Sequence, residues 1–193
     1  MRLLDPELKE RMFGAAEESP GNWLVTGMNL RAAAARLDWR KAPVRAEEAS
    51  VGFMAVYRML LGLAFENILK GVITLARLQT GQRPPLPPEC LHHSLAKLAS
   101  RPECAMLALT AQEIALLDNI TPFVEWAGKY PLPKKQKDYR GGFHTSSYEH
   151  DAEVALWDRL TGVLAEHAWV MKGGPERLGG KRLHVNKEKR GVS

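Results

Sequence analysis

The sequence predicts an all-α protein folded as an up-and-down bundle of about five to six helices. Apolar residues recur at spacings of three and four along most of the chain. No segment alternates apolar and polar residues over enough positions to predict a strand. Prolines and glycines fall between the apolar segments, where they end helices. With 193 residues, 45% of them hydrophobic, the chain is long enough for one domain with its own core. We expect that domain over 1–171, with its core over 23–171.

The N-terminal part of the chain predicts two helices. Asp5 and Pro6 are typical of an N-cap and the first helical position. The Ser-Pro-Gly-Asn run at 19–22 is typical of a helix end. A second helix is therefore expected over 23–41.

The longest apolar segment predicts a central helix over 47–78. Apolar residues surround almost its whole circumference, so the helix is expected to be buried on most sides. Charged residues interrupt every window long enough to cross a bilayer, which favours a core helix over a membrane span. These residues are Arg58, Glu66, Lys70 and Arg77. The N-terminus has no apolar secretory segment, so we expect a cytoplasmic protein with no membrane partner.

The second half of the chain predicts shorter helices separated by loops. Prolines at 84–88 predict an extended connector, followed by a short helix over 92–98. Thr110 and Glu113 form a capping-box pattern that opens the next helix, and Pro122 is expected to kink it. After a polar loop, Ser146 or Ser147 is expected to cap a last helix that reaches Met171.

The basic charge of the chain is concentrated at its C-terminal end. The net charge is +5, and residues 172–193 hold seven Lys or Arg against two Glu, which accounts for the entire excess. We expect a flexible basic tail over 172–193. Such a tail either contacts nucleic acid phosphates or is a solvated terminus. Cys90 and Cys104 are the only cysteines, and two free thiols are expected.

Glu66 and Lys70 are the first candidate ligand-binding residues. They are four apart on the central helix and therefore share a face, with Asn67 beside Glu66. They form either an ordinary ion pair on an exposed stripe or a pair held inside a cleft, because an unpaired charge is expensive to bury. His92 and His93 follow. Adjacent helical residues point about 100° apart, so we expect only one of them to face the pair. A structural histidine is the alternative.

A second group of candidates follows the helix that Thr110 opens. Trp126 and Tyr130 are four apart and can stack on one side, and Lys129 suits the negative end of a helix. The alternative is a helix end with aromatic core anchors. In the loop beyond, four basic residues surround Tyr139, a pattern also found in single-stranded nucleic acid sites. Arg140 and His144 lie in the same segment. No residue spacing predicts a metal site, and no cofactor is expected.

Three of these segments, in this order, resemble the bacterial HEPN-like (higher eukaryotes and prokaryotes nucleotide-binding) proteins. They are Glu66-Asn67-Ile68-Leu69-Lys70-Gly71, His93-Ser94-Leu95-Ala96-Lys97-Leu98 and Trp126-Ala127-Gly128-Lys129-Tyr130-Pro131. The resemblance covers about residues 23–171. It implies an all-α bundle, often a homodimer, that binds or cuts RNA in toxin–antitoxin or antiphage systems. An antitoxin-like protein is then an expected partner.

The sequence departs from the ribonucleases of that family. They carry an R-x(4–6)-H motif, whereas Arg140 and His144 are one residue too close. Lys129 stands where the family has Arg, and Ser94 where it has Asp. Our first hypothesis is therefore a non-catalytic domain that binds a nucleotide, RNA or a protein partner.

Two alternatives to the non-catalytic domain remain. A metal-independent ribonuclease would use His93 or His144 as acid or base, and Lys129 or Arg140 to stabilise phosphorane charge. The other alternative is a structural helical adaptor, whose polar motifs pin the helices together.

Overall fold

The computed structural model describes residues 19–37, 47–82, 86–129 and 147–168. These residues form five α-helices and no strand, so the prediction of an all-α bundle is confirmed. The helices are α1 (Pro20–Arg36), α2 (Glu47–Gln79), α3 (Leu95–Ala99), α4 (Ala111–Pro122) and α5 (Ser147–Ala168). Two 3-10 helices flank α3, and a π-helical turn continues α4; they are Pro88–Cys90, Pro102–Leu107 and Phe123–Ala127.

Helix α1 begins at the residues that the sequence predicted as a helix end. Ser19 has extended N-cap backbone angles and Pro20 is the first helical residue. Proline suits that position because its fixed φ is helical and its missing N–H would have no intrahelical partner. The second helix therefore begins three residues before its predicted start at 23. The first predicted helix, and the end of the second beyond Leu37, lie outside the described residues.

Helix α2 is the central element, as its apolar circumference predicted. It contacts each of the other four α-helices. Its fully buried residues include Leu61, Phe65, Ile68, Leu69, Val72 and Ile73. Within the described part of the chain, one helical stretch, Phe53–Gln79, is long and apolar enough to cross a membrane, a test that a soluble core helix also passes. Two-thirds of its most apolar window is buried inside the protein.

Helices α1 and α5 pack closely against α2 at Gly71. A Cβ atom on Gly71 would lie 2.8 Å from Leu164 Cδ2 and 2.9 Å from Trp23 Cβ, so no side chain fits between the three helices. One turn and a half earlier, the Phe65 ring meets the edge of the Trp157 ring with centroids 5.6 Å apart. This packing fixes the face that α2 turns toward α3 and α4.

The two adjacent histidines precede α3 and are not part of it. Helix α3 begins at Leu95, and Ser94 has the extended backbone of an N-cap residue. The prediction of a helix that carries His92 and His93 is therefore wrong. Helical spacing does not govern where the two rings point, because both lie in the loop that leads into the helix.

Helix α4 begins as its sequence predicted and ends in a wider winding. Thr110 Oγ1 accepts a hydrogen bond from the Glu113 N–H at 3.2 Å, and the Glu113 carboxylate accepts one from the Thr110 N–H at 2.8 Å. The capping box is thus confirmed. The irregularity expected at Pro122 takes the form of the π-helical turn, in which the Gly128 N–H donates to the Phe123 carbonyl at 3.1 Å.

Helix α5 starts at Ser147, so its N-cap position falls on Ser146, which lies outside the described residues; Trp157, Leu160 and Leu164 are buried on its inner face. Met171 and the basic tail at 172–193 lie outside the described residues. Both cysteines are free and buried, as expected of thiols. Burial raises the pKa of Cys104 to about 12.

Candidate functional site

Glu66, Lys70 and His93 meet in one cluster, which we call the Glu66 cluster. Lys70 Nζ donates to Glu66 Oε1 at 2.6 Å, and His93 Nδ1 lies 2.9 Å from Glu66 Oε2. Glu66 is 5% exposed and Lys70 is 8% exposed, whereas half of the His93 side chain is exposed. A buried ion pair therefore holds one nitrogen of a histidine ring that reaches the surface.

The burial of Glu66 and Lys70 decides between the two arrangements that their spacing allowed. Both residues lie on the same face of α2, and that face is covered, so the exposed-stripe interpretation is wrong. Burying the two charges is tolerable because each neutralises the other and the carboxylate has a second partner in His93. The cluster can orient a histidine for hydrogen bonding or for proton transfer.

A hydroxyl group on α4 holds the loop that carries His93. Thr121 is 4% exposed. Its Oγ1 accepts a hydrogen bond from the Leu95 N–H at 3.0 Å and donates to the Leu117 carbonyl at 3.0 Å. Ser94 makes no side-chain cap of its own. Thr121 therefore caps α3 from a neighbouring helix, a pairing that no spacing in the sequence signals.

Thr121→Val is expected to change the position of the His93 ring and to lower the free energy of unfolding. The substitution keeps the shape of the side chain and leaves the buried Leu95 N–H without an acceptor, which costs about 1–3 kcal/mol. Thr161→Val is the matched control, because Thr161 is equally buried and its hydroxyl donates to the Trp157 carbonyl of its own helix. Urea unfolding measures stability, and NMR of the imidazole follows His93. Equal His93 shifts in both variants would contradict the role of Thr121.

His92 is held differently from its neighbour. Its Nδ1 accepts a hydrogen bond from the Ser94 N–H at 3.1 Å. Burial lowers the pKa of His92 below its ordinary value, and the positive charges of Lys97 and Lys70 lower it further. His92 is therefore neutral at pH 7.

Among the described residues, Asn67 and Lys129 make no hydrogen bond or ion pair with the Glu66 cluster. The Asn67 side-chain amide donates to the Leu63 carbonyl of its own helix at 2.8 Å. Trp126 is buried in the π-helical turn, and Lys129 is exposed just beyond it. Tyr130, Arg140 and His144 lie outside the described residues. Across 19–37, 47–82, 86–129 and 147–168, no cluster of His, Cys, Asp or Glu is suited to a metal ion.

A second buried ion pair was not predicted from the sequence. Arg58 of α2 and Glu153 of α5 lie 3.1 Å apart, with side chains 5% and 2% exposed. The Arg58 guanidinium lies 5.6 Å from the centre of the Phe123 ring, and His150 Nδ1 lies 3.8 Å from Glu153 Oε2. A signal was present, because Glu153 is four residues before Trp157 and shares the buried face of α5.

The fold and the Glu66 cluster define an all-α bundle with a histidine held by a buried ion pair at its surface. No family model, curated protein or solved structure matches this chain.

Proposed function

We propose that this chain is a HEPN-like domain of a bacterial cytoplasm that binds RNA or a nucleotide without cutting it. The observation that carries the proposal is the contact of His93 with the buried Glu66–Lys70 pair. The proposal extends, on the resemblance alone, to an antitoxin-like protein partner and to a homodimer in a toxin–antitoxin or antiphage system.

The contact joins two of the three motifs on which the resemblance is based. Glu66 and Lys70 come from the first motif and His93 opens the second, and a carboxylate and a histidine from separate motifs meet at 2.9 Å. A purely local role for either motif would not require this contact. A histidine can form a hydrogen bond at each ring nitrogen. The half-exposed His93 ring can therefore contact a ligand through its outer nitrogen while Nδ1 contacts Glu66.

His93→Ala is expected to weaken binding of a fluorescently labelled mixed-sequence RNA about tenfold, which corresponds to about 1.4 kcal/mol. The substitution removes the only exposed group of the Glu66 cluster. Fluorescence anisotropy at fixed salt measures the affinity, since phosphate contacts depend on salt. His150→Ala is the matched control, because His150 also lies beside a buried carboxylate but away from the cluster. Equal affinities of the two variants would contradict the proposed site.

A second candidate function is a metal-independent ribonuclease. The observation that favours it is the ionised carboxylate at His93 Nδ1, the arrangement that orients a general base. Among the described residues, neither Lys129 nor an arginine pairs with Glu66 or His93, and the Lys70 ammonium is bound to Glu66 Oε1 at 2.6 Å. The binding function is therefore the better supported of the two, and the structural adaptor is the outcome expected if no RNA binds.

A further inference from the structure

The hydrogen bond at His92 fixes which of its nitrogens carries the proton. The donor is the backbone N–H of Ser94, so Nδ1 of His92 must be the acceptor. A neutral imidazole has one protonated and one unprotonated nitrogen. The outer nitrogen of His92, Nε2, therefore carries the hydrogen and is a donor.

In the His93 ring, the contact with Glu66 places the proton on the other nitrogen, Nδ1. Lys70 Nζ donates to Glu66 Oε1 at 2.6 Å, so the Glu66 carboxylate is the acceptor in this ion pair. An ionised carboxylate can only accept, so Nδ1 of His93 must donate to Glu66 Oε2. In the neutral ring, the outer nitrogen of His93 is then unprotonated and is an acceptor.

We propose that the adjacent residues His92 and His93 present one donor and one acceptor, and that this pair reads the hydrogen-bonding edge of a nucleobase. The bases carry donors and acceptors on neighbouring positions of one planar edge. A phosphate offers only acceptors, so it could pair with His92 but would leave the acceptor of neutral His93 without a donor. The inference rests on the proposed nucleotide-binding function and specifies that the base is the group recognised at this loop.

The surroundings of the two rings support recognition of a neutral group. His93 is half exposed and His92 is partly exposed, so both rings reach the surface of the loop before α3. The Glu66–Lys70 pair beneath them carries no net charge. The lowered pKa of His92 keeps its ring neutral at pH 7 and preserves its acceptor for the Ser94 N–H.

Long-range ¹H–¹⁵N NMR of the full chain with ¹⁵N-labelled histidine tests the first step of the inference. His92→Gln and His93→Gln assign the two rings. At pH 7.5 we expect His92 to be protonated at Nε2 and His93 at Nδ1. The same tautomer in both rings, or a His93 ring protonated at both nitrogens, would overturn the inference without any ligand being present.

Titration of the same sample with adenosine, guanosine, cytidine and uridine tests the second step, with ribose 5-phosphate as the phosphate probe. At least one nucleoside is expected to shift the His92 and His93 signals, while ribose 5-phosphate leaves them unchanged. His92→Gln and His93→Gln should each weaken that binding roughly five- to tenfold, as expected for one hydrogen bond. The His150 signals serve as the control.

The failure of this inference can be told apart from failure of the proposed function. RNA that shifts the two histidine signals when no nucleoside does would overturn base recognition and leave RNA binding standing. Shifts caused by ribose 5-phosphate alone would do the same and would assign the loop to phosphate. A chain that binds neither RNA nor any nucleoside would overturn both.

Discussion

Glu153→Ala is expected to lower the free energy of unfolding by about 3–5 kcal/mol, because the substitution leaves the Arg58 guanidinium buried without its carboxylate. The pair is almost fully enclosed between α2 and α5, so water cannot replace the lost partner. The ring of Phe123 remains beside the guanidinium but cannot neutralise it. Urea unfolding followed by circular dichroism measures the loss at pH 7.

Two further variants show whether the loss comes from the buried charge. Asp151→Asn changes a neighbouring carboxylate that is exposed, and it should stay within about 0.5 kcal/mol of the wild type. The double variant Arg58→Met/Glu153→Leu removes both charges and should recover most of the stability, because apolar replacements of a buried pair are often neutral or stabilising. Similar stabilities for Glu153→Ala and Asp151→Asn would contradict the account.

Lys70→Met is expected to cost about 3 kcal/mol at pH 7, because Glu66 then lies buried with His93 as its remaining described partner. Unfolding in urea at pH 7 measures the difference between the two proteins.

Lys97→Met is the matched control for Lys70→Met. Lys97 lies exposed on α3 near the same loop, so its substitution should change stability by no more than about 0.5 kcal/mol at pH 7. A loss for Lys70→Met that equals that of Lys97→Met would show that the Glu66–Lys70 pair is not the buried pair described above.

The sequence predicted helices whose apolar residues recur with helical periodicity. It misplaced helix boundaries where a residue such as proline is found both at the end and at the start of helices. The bounds of α2 were predicted closely because its apolar residues run without interruption by proline or glycine pairs. The run at 19–22 already begins α1, three residues before the predicted start at 23, because proline suits the first helical position as well as a break. His92 and His93 were placed in a helix that begins only at Leu95, since short helix boundaries depend on caps from other elements.

Only the contact within one helix of the candidate site could be predicted from the sequence. The pairing of Glu66 with Lys70 follows from a spacing of four on one helix, although the spacing did not say whether the pair is buried. The partner from another element, His93, could be named only through the order of the motifs. The contact of Thr121 with Leu95 and the pairing of Glu153 with Arg58 depend on how distant helices pack. Spacing along the chain places Glu153 on the buried face of α5 but does not name its partner.

Incubation of a mixed-sequence RNA with the purified full chain in EDTA tests most directly whether His93 binds RNA and leaves it intact. Part of each sample is analysed on a native gel for binding and part on a denaturing gel for cleavage, for the wild type and for His93→Ala. We expect the wild type to retard the RNA and leave it at full length, and His93→Ala to retard less of it at the same protein concentration. Metal-independent cleavage that disappears in His93→Ala would contradict the account and establish a ribonuclease, and RNA left unbound by the wild type would contradict the binding function itself.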